Sequence, residues 1–457
     1  MARLFVSAAH KSSGKTTLCI GLAAALVRRG LSVQGFKKGP DYIDPMWLAR
    51  ASLRPVYNLD FNTQSAAEIR ALFARQAAGA DLALIEGNKG LHDGIDVAGS
   101  DSSAALAKLL VAPVVLVIDC AGITRGVAPL VLGQARFDTA VAVRGVILNR
   151  VSGARQEAKL CRALETYTDL PVLGAIGRDA VPAMPERHLG LVTPSETPAS
   201  DEVVARLAAT VAASVDLDRI LTIARAAPAL AAPDPAAAPA MTGAPVRIAI
   251  ARDAAFGFYY PDDFEALRAA GAELALFDSL RDADLPSADG LFLGGGFPET
   301  CMDALAANRS LRLRIRLAAE GGMPIYAECG GLMYLTRGIA WQGQRHAMVG
   351  AVSADTVMRE RPQGRGLVEL AETDAMPWPD PPGAGVPAHE FHHAALENLD
   401  GATRFAYRMR RGQGIDGVHD GIVTRNVLAG FSHLRSTARA GNWARRFVAF
   451  VRAAKRG

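Results

Sequence analysis

No stretch of the 457-residue chain approaches the roughly 18 to 20 consecutive apolar residues that a helix needs to cross a bilayer. The longest run, Leu109 to Ile118, is interrupted by Pro113, so no membrane span or membrane partner is expected. An excess of charge of one sign is also lacking. Fifty Lys and Arg stand against 46 Asp and Glu, a formal +4 that argues against a global nucleic-acid footprint and leaves any basic site local. Cysteine is scarce: Cys19, Cys120, Cys161, Cys301 and Cys329 share no C-x-x-C spacing, which indicates neither a disulfide framework nor a zinc site. The N-terminus, MARLFVSAAHKSSGKTT, has lysines and hydroxyls where a secretory signal needs an apolar core. A cytoplasmic protein is the expectation. Hydrophobic residues make up 50% of the chain, enough for a core in each of the two or three domains that this length suggests.

From residue 3 to about 225, short apolar or β-branched runs alternate with helical patterns. The runs are Leu4–Ala8, Ser32–Phe36, Leu82–Ile85, Val114–Asp119, Gly145–Asn149 and Val172–Ile176. Such alternation predicts an α/β domain with a mostly parallel sheet covered by crossover helices, among them Ala67–Ala77 and Glu157–Tyr167. Residues 226–245 are almost wholly Ala and Pro, with no period that could bury a face, and read as an extended linker. The expected domains are therefore 1–225 and 246–457. Beyond the linker the alternation resumes, with strands at Val246–Ala251, Leu274–Phe277, Leu291–Gly294 and Pro324–Ala327, and helices at Phe264–Ala270 and Leu311–Ala319.

Strand Leu4–Ala8 runs into AHKSSGKTT and then a helical pattern, the context of a phosphate-binding P-loop, although Ala9 replaces the first motif glycine. In that geometry Gly14 lets backbone N–H groups close round a phosphate, Lys15 reaches its oxygens, and Thr16 offers a hydroxyl to Mg²⁺. Glu86 closes another strand and is a candidate second ligand of the metal. The stretch Lys37 to Pro45, KKGPDYIDP, places two lysines and two aspartates just past a strand. It reads as an anionic-substrate pocket rather than a solvated turn. Asp119 suits a buried or capping carboxylate as well as it suits a metal ligand.

In the second domain, Pro324 to Tyr334 (PIYAECGGLMY) reads as strand, sharp turn and helix, like a nucleophile elbow with cysteine in place of serine. The following glycines and the helix N-terminus favour a thiolate at Cys329, and His433, after another strand-like run, is the candidate base. The other four cysteines are assigned to core. The glycines of Gly294–Glu299 could approach a reacting carbonyl. His389 to His393, HEFHH, has histidines at i, i+3 and i+4 beside Phe391, and a substrate-facing loop rather than a metalloprotease zinc site is its expected use.

A magnesium-nucleotide domain joined to a cysteine amidase suggests glutamine hydrolysis in one domain and carboxylate activation in the other. The residues SSGKTT, FKKGPDYIDP, IEG followed by GLHDG, GGGFPE, YAECGGLMYL and HEFHH together resemble the cobyrinate a,c-diamide synthases, glutamine-dependent enzymes of cobalamin biosynthesis. The resemblance spans nearly the whole chain outside the linker. It implies a dethiobiotin-synthetase-like P-loop domain and a triad-type glutamine amidotransferase domain, with ATP and Mg²⁺ as cofactors and a tetrapyrrole and L-glutamine as substrates. Carried over by position, Cys329 would form the glutamyl thioester and His433 would raise its nucleophilicity. Gly14, Lys15, Thr16 and Thr17 would bind ATP, Thr16 and Glu86 the metal, while Lys37, Asp41, Tyr42 and Asp44 would face the tetrapyrrole carboxylate. A homodimer is the oligomer left open. Four positions depart from the family pattern. Lys38 stands where an apolar residue is usual, Lys11 and Lys89 add charge in neighbouring loops, and Arg435 stands where a second histidine often follows His433. These cations bring siroheme, a more anionic macrocycle, nearly level with cobyrinate as an expected substrate. The competing expectation is a P-loop switch ATPase with an inert amidase-like domain, although His10 stands where such proteins carry an extra lysine.

Overall fold

The computed structural model describes residues 1–180, 184, 186–187, 190–230 and 243–456, and the chain divides into two compact units. One comprises Met1–Phe61 and Ser65–Ala236, the other Asn62–Gln64 and Ala237–Gly457. Of the expected linker, residues 231–242 lie outside the described residues. Among the described residues no helix is long and apolar enough to cross a membrane.

In the first unit, the alternation predicted from the sequence is realised as β1 (Arg3–Ala8), α1 (Lys15–Arg28), β2 (Val33–Lys38), α2 (Ile43–Ser52), β3 (Tyr57–Leu59), α3 (Ala66–Ala77) and β4 (Leu82–Glu86). It continues as α4 (Ser103–Leu109), β5 (Val114–Asp119), α5 (Val127–Arg136), β6 (Val143–Val151), α6 (Ala154–Tyr167) and β7 (Val172–Gly177). A two-residue ribbon, β8 (Glu186–Arg187) and β9 (Gly190–Leu191), precedes α7 (Ser200–Ser214) and α8 (Leu217–Arg225). The main sheet is parallel throughout, in the order β3-β2-β4-β1-β5-β6-β7. Strands β1, β4 and β5 are almost wholly buried, which explains why they read as continuous apolar runs rather than alternating ones. Phe5, Ile85 and Leu116 join Phe36 and Phe73 in one core cluster. The expected strand at Ser32–Phe36 ends too early. Lys37 and Lys38 look like loop residues by charge, yet both continue β2, where Lys37 pairs in register with Glu86 of β4 and Lys38 with Leu59 of β3.

The second unit begins with β10 (Val246–Ala251), α9 (Pro261–Ala269), β11 (Ala272–Phe277), β12 (Gly290–Leu293), α10 (Met302–Ala307) and α11 (Arg309–Glu320). Helix α9 starts earlier than the periodicity suggests, because Pro261 opens its first turn and Asp262 and Asp263 follow it. Next come β13 (Ile325–Glu328), α12 (Gly330–Leu335), β14 (Gly338–Trp341), β15 (Gln344–Ala347), β16 (Asp355–Met358), β17 (Gly364–Glu372) and β18 (Val386–His392). The chain closes with β19 (Ala394–Glu397), β20 (Arg404–Arg411), β21 (His419–Thr424), β22 (Val427–Gly430) and α13 (Trp443–Ala454). A mixed sheet runs β11-β10-β12-β13-β22-β21-β20-β17-β18, its first five strands parallel, and a smaller one runs β15-β14-β16-β19. One core cluster gathers Leu291, Ile315, Leu332 and Phe431, and another gathers Ile248, Phe292, Tyr326, Trp378 and Trp443. The stretch HEFHH is not the expected loop. His389 to His392 form the end of β18, paired antiparallel with β17, because ladder hydrogen bonds outweigh the polar look of the residues.

Candidate functional sites

The P-loop spans the turn between β1 and α1. Gly14 has φ 91°, and a Cβ there would lie 2.2 Å from Asn149 Nδ2, so the close approach requires glycine. Asn149, at the end of β6, donates through that nitrogen to the Ser13 carbonyl (2.9 Å) and braces the loop. Its part went unnoticed in the sequence, because a single Asn within a strand has no local signature. Lys15 is buried, and its Nζ reaches the His10 carbonyl at 3.5 Å. Burial lowers its pKa, and the charge of Lys37 adds to that. Thr17 Oγ1 donates to the Gly14 carbonyl at 3.0 Å, so its hydroxyl is engaged within the loop.

Four of the singled-out side chains converge beside this loop. Thr16 Oγ1 lies 2.7 Å from Glu86 Oε1 and 3.1 Å from Asp44 Oδ2, and Lys37 Nζ lies 2.7 Å and 2.5 Å from the same two oxygens. Strand pairing explains half of this, since Lys37 and Glu86 are register partners on β2 and β4. The first turn of α2 supplies Asp44. Burial pushes the Lys37 pKa down, but Asp44, Glu86 and Asp41 raise it well above the ordinary lysine value, so the ammonium is held charged. Burial raises the Glu86 pKa against the opposing pull of Lys37. Glu86 Oε2 is buried without a hydrogen-bond partner. Two carboxylates, one of them with an orphaned oxygen, and a hydroxyl next to a P-loop form a donor set of the hard oxygen type that Mg²⁺ takes.

Asp41 occupies a different place from Asp44. Its Oδ1 accepts from the N–H groups of Ile43 (3.0 Å) and Asp44 (3.1 Å), opening α2, while its Oδ2 is 3.8 Å from Lys37. Burial and then the Asp44 charge raise its pKa to about 7. Tyr42 is buried. Lys38 is buried too, which lowers its pKa, whereas Asp101 and Asp60 favour its charge. Lys11 and Lys89 are exposed. Asp119 meets the capping expectation: it pairs with Arg150 (2.8 Å) and accepts from the Ala121 N–H.

In the second unit, Cys329 sits at the turn between β13 and the six-residue helix α12, with φ 47° and ψ −101°, outside the usual regions for a side-chain-bearing residue. Its N–H donates to the Gly430 carbonyl at 2.7 Å, tying the turn to the end of β22. The chain leaving β22 carries His433. Buried Asp420 shapes that exit by accepting from the N–H groups of Phe431 (2.9 Å) and Ser432 (2.8 Å). Cys329 Sγ donates to the Phe391 carbonyl at 3.9 Å and lies near enough to His433 for the two side chains to influence each other's charge. Burial alone would lower the His433 pKa; the bonds to Cys329 and Glu328, and their charges, raise it to about 10. The imidazole is thus held as a cation beside the thiol.

His389 closes the other side of the ring. It bridges backbone to backbone with His433, and the two imidazoles stack with centroids 4.9 Å apart and planes 14° apart. Burial, then the charges of His433 and Arg435, push its pKa well below the ordinary value, so a neutral ring lies against a charged one. The glycine loop after β12 approaches equally closely: a Cβ at Gly295 would lie 2.5 Å from His433 Cε1. Arg435, two residues past His433, binds Asp262 Oδ2 through Nε (3.1 Å) and Nη2 (2.8 Å) and lies over the Tyr260 ring. Cys19 and Cys120 are buried as expected, whereas Cys161 and Cys301 are half-buried rather than core. Sequence reasoning quoted Glu328 but gave it no part. The period of two in β13, which puts it on the Tyr326 face, was the available signal.

Residues 5–192 match the CobQ/CobB/MinD/ParA nucleotide binding domain family, and residues 247–440 match the CobB/CobQ-like glutamine amidotransferase domain family. Over whole chains, the cobyrinate a,c-diamide synthase of Magnetococcus marinus is 47% identical, covering 97% of this chain and 95% of its own length. The protein of the same name from Syntrophotalea carbinolica is 41% identical, covering 98% of both chains. That from Methanosarcina acetivorans is 38% identical, covering 95% of this chain and 93% of its own.

Proposed function

Since the chain belongs to the cobyrinate a,c-diamide synthase family, we propose that it converts acetate side chains of cobyrinate to amides, with ATP as activating co-substrate and glutamine as nitrogen source. The observation that carries the glutamine half is Cys329 on its sharp turn, tied by its N–H to the end of β22, from which the chain runs on to His433. The thiolate attacks the side-chain carbonyl of glutamine, His433 delivers a proton to the departing ammonia, and water then releases glutamate from the γ-glutamyl thioester. Backbone N–H groups beside Cys329 and in the Gly294–Gly296 loop are candidates to hold the developing oxyanion.

For the other half, Lys15 and the P-loop backbone hold the nucleotide phosphates, and Thr16, Asp44 and Glu86 are the residues that would hold Mg²⁺. The metal, when bound, neutralises charge on the phosphates. Lys37 brings a permanent cation to the same place, suited to steering a substrate carboxylate toward the γ-phosphoryl group. Phosphoryl transfer to that carboxylate gives an acyl phosphate, which ammonia converts to the amide with release of phosphate. Asp41 and Tyr42 line the approach of the macrocycle in this reading. The switch-ATPase alternative gives no use to the Cys329–His433 pair.

Siroheme is the second macrocycle to test, on the strength of buried Lys38. Its charge is already faced by Asp60 and Asp101, which leaves less of it for extra substrate carboxylates. The experiment incubates the protein with ATP and glutamine and either cobyrinate, sirohydrochlorin or siroheme, and reads carboxylate-to-amide conversion by mass. Conversion of cobyrinate is expected. A preference for siroheme that Lys38→Val abolishes would reassign the substrate, and no conversion of any macrocycle would refute the proposal.

A further inference from the structure

We propose that Glu328 is the positioning carboxylate of the amidase site, so that two consecutive residues supply the nucleophile and the acid that orients its base. The inference rests on the glutaminase reading of Cys329 and His433. Glu328 Oε2 lies 3.6 Å from His433 Nδ1, and both side chains are almost completely buried, 4% and 3% exposed. The other oxygen, Oε1, accepts from the Leu434 N–H at 2.9 Å and from the Tyr326 hydroxyl. One carboxylate therefore grips the histidine's ring, the backbone just after it, and a tyrosine two residues before itself on β13. This fixes the ring in rotation as well as in position, which a base that must face Cys329 requires.

The neighbouring acids are committed elsewhere. At the second position after His433 the chain has Arg435, closed on Asp262. Asp263 accepts from the Ser436 N–H (2.7 Å), and Asp420 holds the backbone of residues 421, 431 and 432. Among the described residues, the charged and titratable groups that face His433 include Glu328, Cys329, stacked His389 and, beyond them, Arg435. Among these Glu328 is the anion that can stabilise an imidazolium. With the proton of the Cys329–His433 pair on the imidazole, Glu328 faces that cation as a carboxylate and takes up no proton; when His433 gives the proton to the departing ammonia, no bond to Glu328 changes.

Glu328→Gln tests this, because its amide oxygen can still accept from Leu434 and Tyr326 while its NH₂ meets Nδ1–H with the wrong polarity. The full chain is assayed for glutamate release, and Cys329 is alkylated with iodoacetamide across pH, with its peptide followed by mass. The pH limb of wild-type alkylation is the reference. In Glu328→Gln, kcat should fall on the order of 10²–10⁴-fold with KM little changed. The limb should also move up by about one pH unit or more, and Glu328→Asp should recover part of both. Wild-type kcat and an unmoved limb in Glu328→Gln overturn the proposal. If Glu328→Gln fails to fold, Tyr326→Phe decides. Removing one donor leaves the carboxylate stronger toward His433, so the limb must drop, and a limb that rises or stays overturns the inference. Alkylation needs no glutamine turnover. A wild type that releases no glutamate would therefore sink the glutaminase reading, while the limb would still decide the place of Glu328.

Discussion

Replacing Lys37 by Met should make the nucleotide-binding unit depend on added Mg²⁺ for its stability. The lysine ammonium now sits between Asp44 Oδ2 at 2.5 Å and Glu86 Oε1 at 2.7 Å, with its side chain only 3% exposed. Methionine fills the same volume but leaves the buried Glu86 carboxylate facing the half-buried one of Asp44, and breaking a buried pair by removing one partner costs about 3–5 kcal/mol. For a unit of this size, about 2–4 °C of melting temperature per kcal/mol converts that to a loss of about 6–20 °C in EDTA. A divalent cation replaces the missing charge at the same two oxygens, so Mg²⁺ should recover most of the loss. The wild type, in which metal must first displace an ammonium, should gain less. Protonation of the freed carboxylates also relieves the repulsion, so the deficit should be larger at pH 8 than at pH 5. Calorimetry of both proteins, with EDTA and with Mg²⁺, measures each quantity. Equal melting temperatures in EDTA, or an equal Mg²⁺ gain in both, would refute the idea that Lys37 stands in for the metal's charge.

Cys329→Ser should abolish glutamine-dependent amidation and leave the ammonia-dependent reaction, since the thioester forms only on the thiol; persistence of glutamate release would remove Cys329 from the mechanism. Lys15→Ala should lose activity with either nitrogen source, because the transferring phosphoryl group then lacks its cation. Ammonia-dependent turnover at the wild-type rate would place activation elsewhere. The pKa of His433, raised to about 10 from an ordinary value of about 6.5, fixes the sign of a pH effect. Its charged form stabilises the fold fully below about pH 6.5, and the contribution is lost as pH rises through about 10. Denaturant unfolding of wild type and His433→Gln should therefore show a stability gap that narrows from pH 6.5 to 10, and a gap constant with pH would contradict the charge assignment.

The sequence by itself determined what depends on neighbours along the chain. A strand, a glycine-bearing turn and a helix start are local events, which is why the Gly14–Thr17 loop and the Cys329 turn were legible, as were Val114–Asp119 and Val246–Ala251 to the residue. The ends of β2 and β18 were misread, because Lys37, Lys38 and the histidines of HEFHH look solvated until a neighbouring strand satisfies their backbones. Only the tertiary structure decided which distant side chains share one environment. Parallel pairing sets Lys37 against Glu86, the close approach at Gly14 recruits Asn149, and the bridge between residues 389 and 433 stacks one imidazole on the other. Glu328 shows the limit most sharply. Its position beside Cys329 is plain in the chain, but its relation to His433 exists only because β13 and β22 lie side by side, and burial there turns a routine carboxylate into one that must meet a cation.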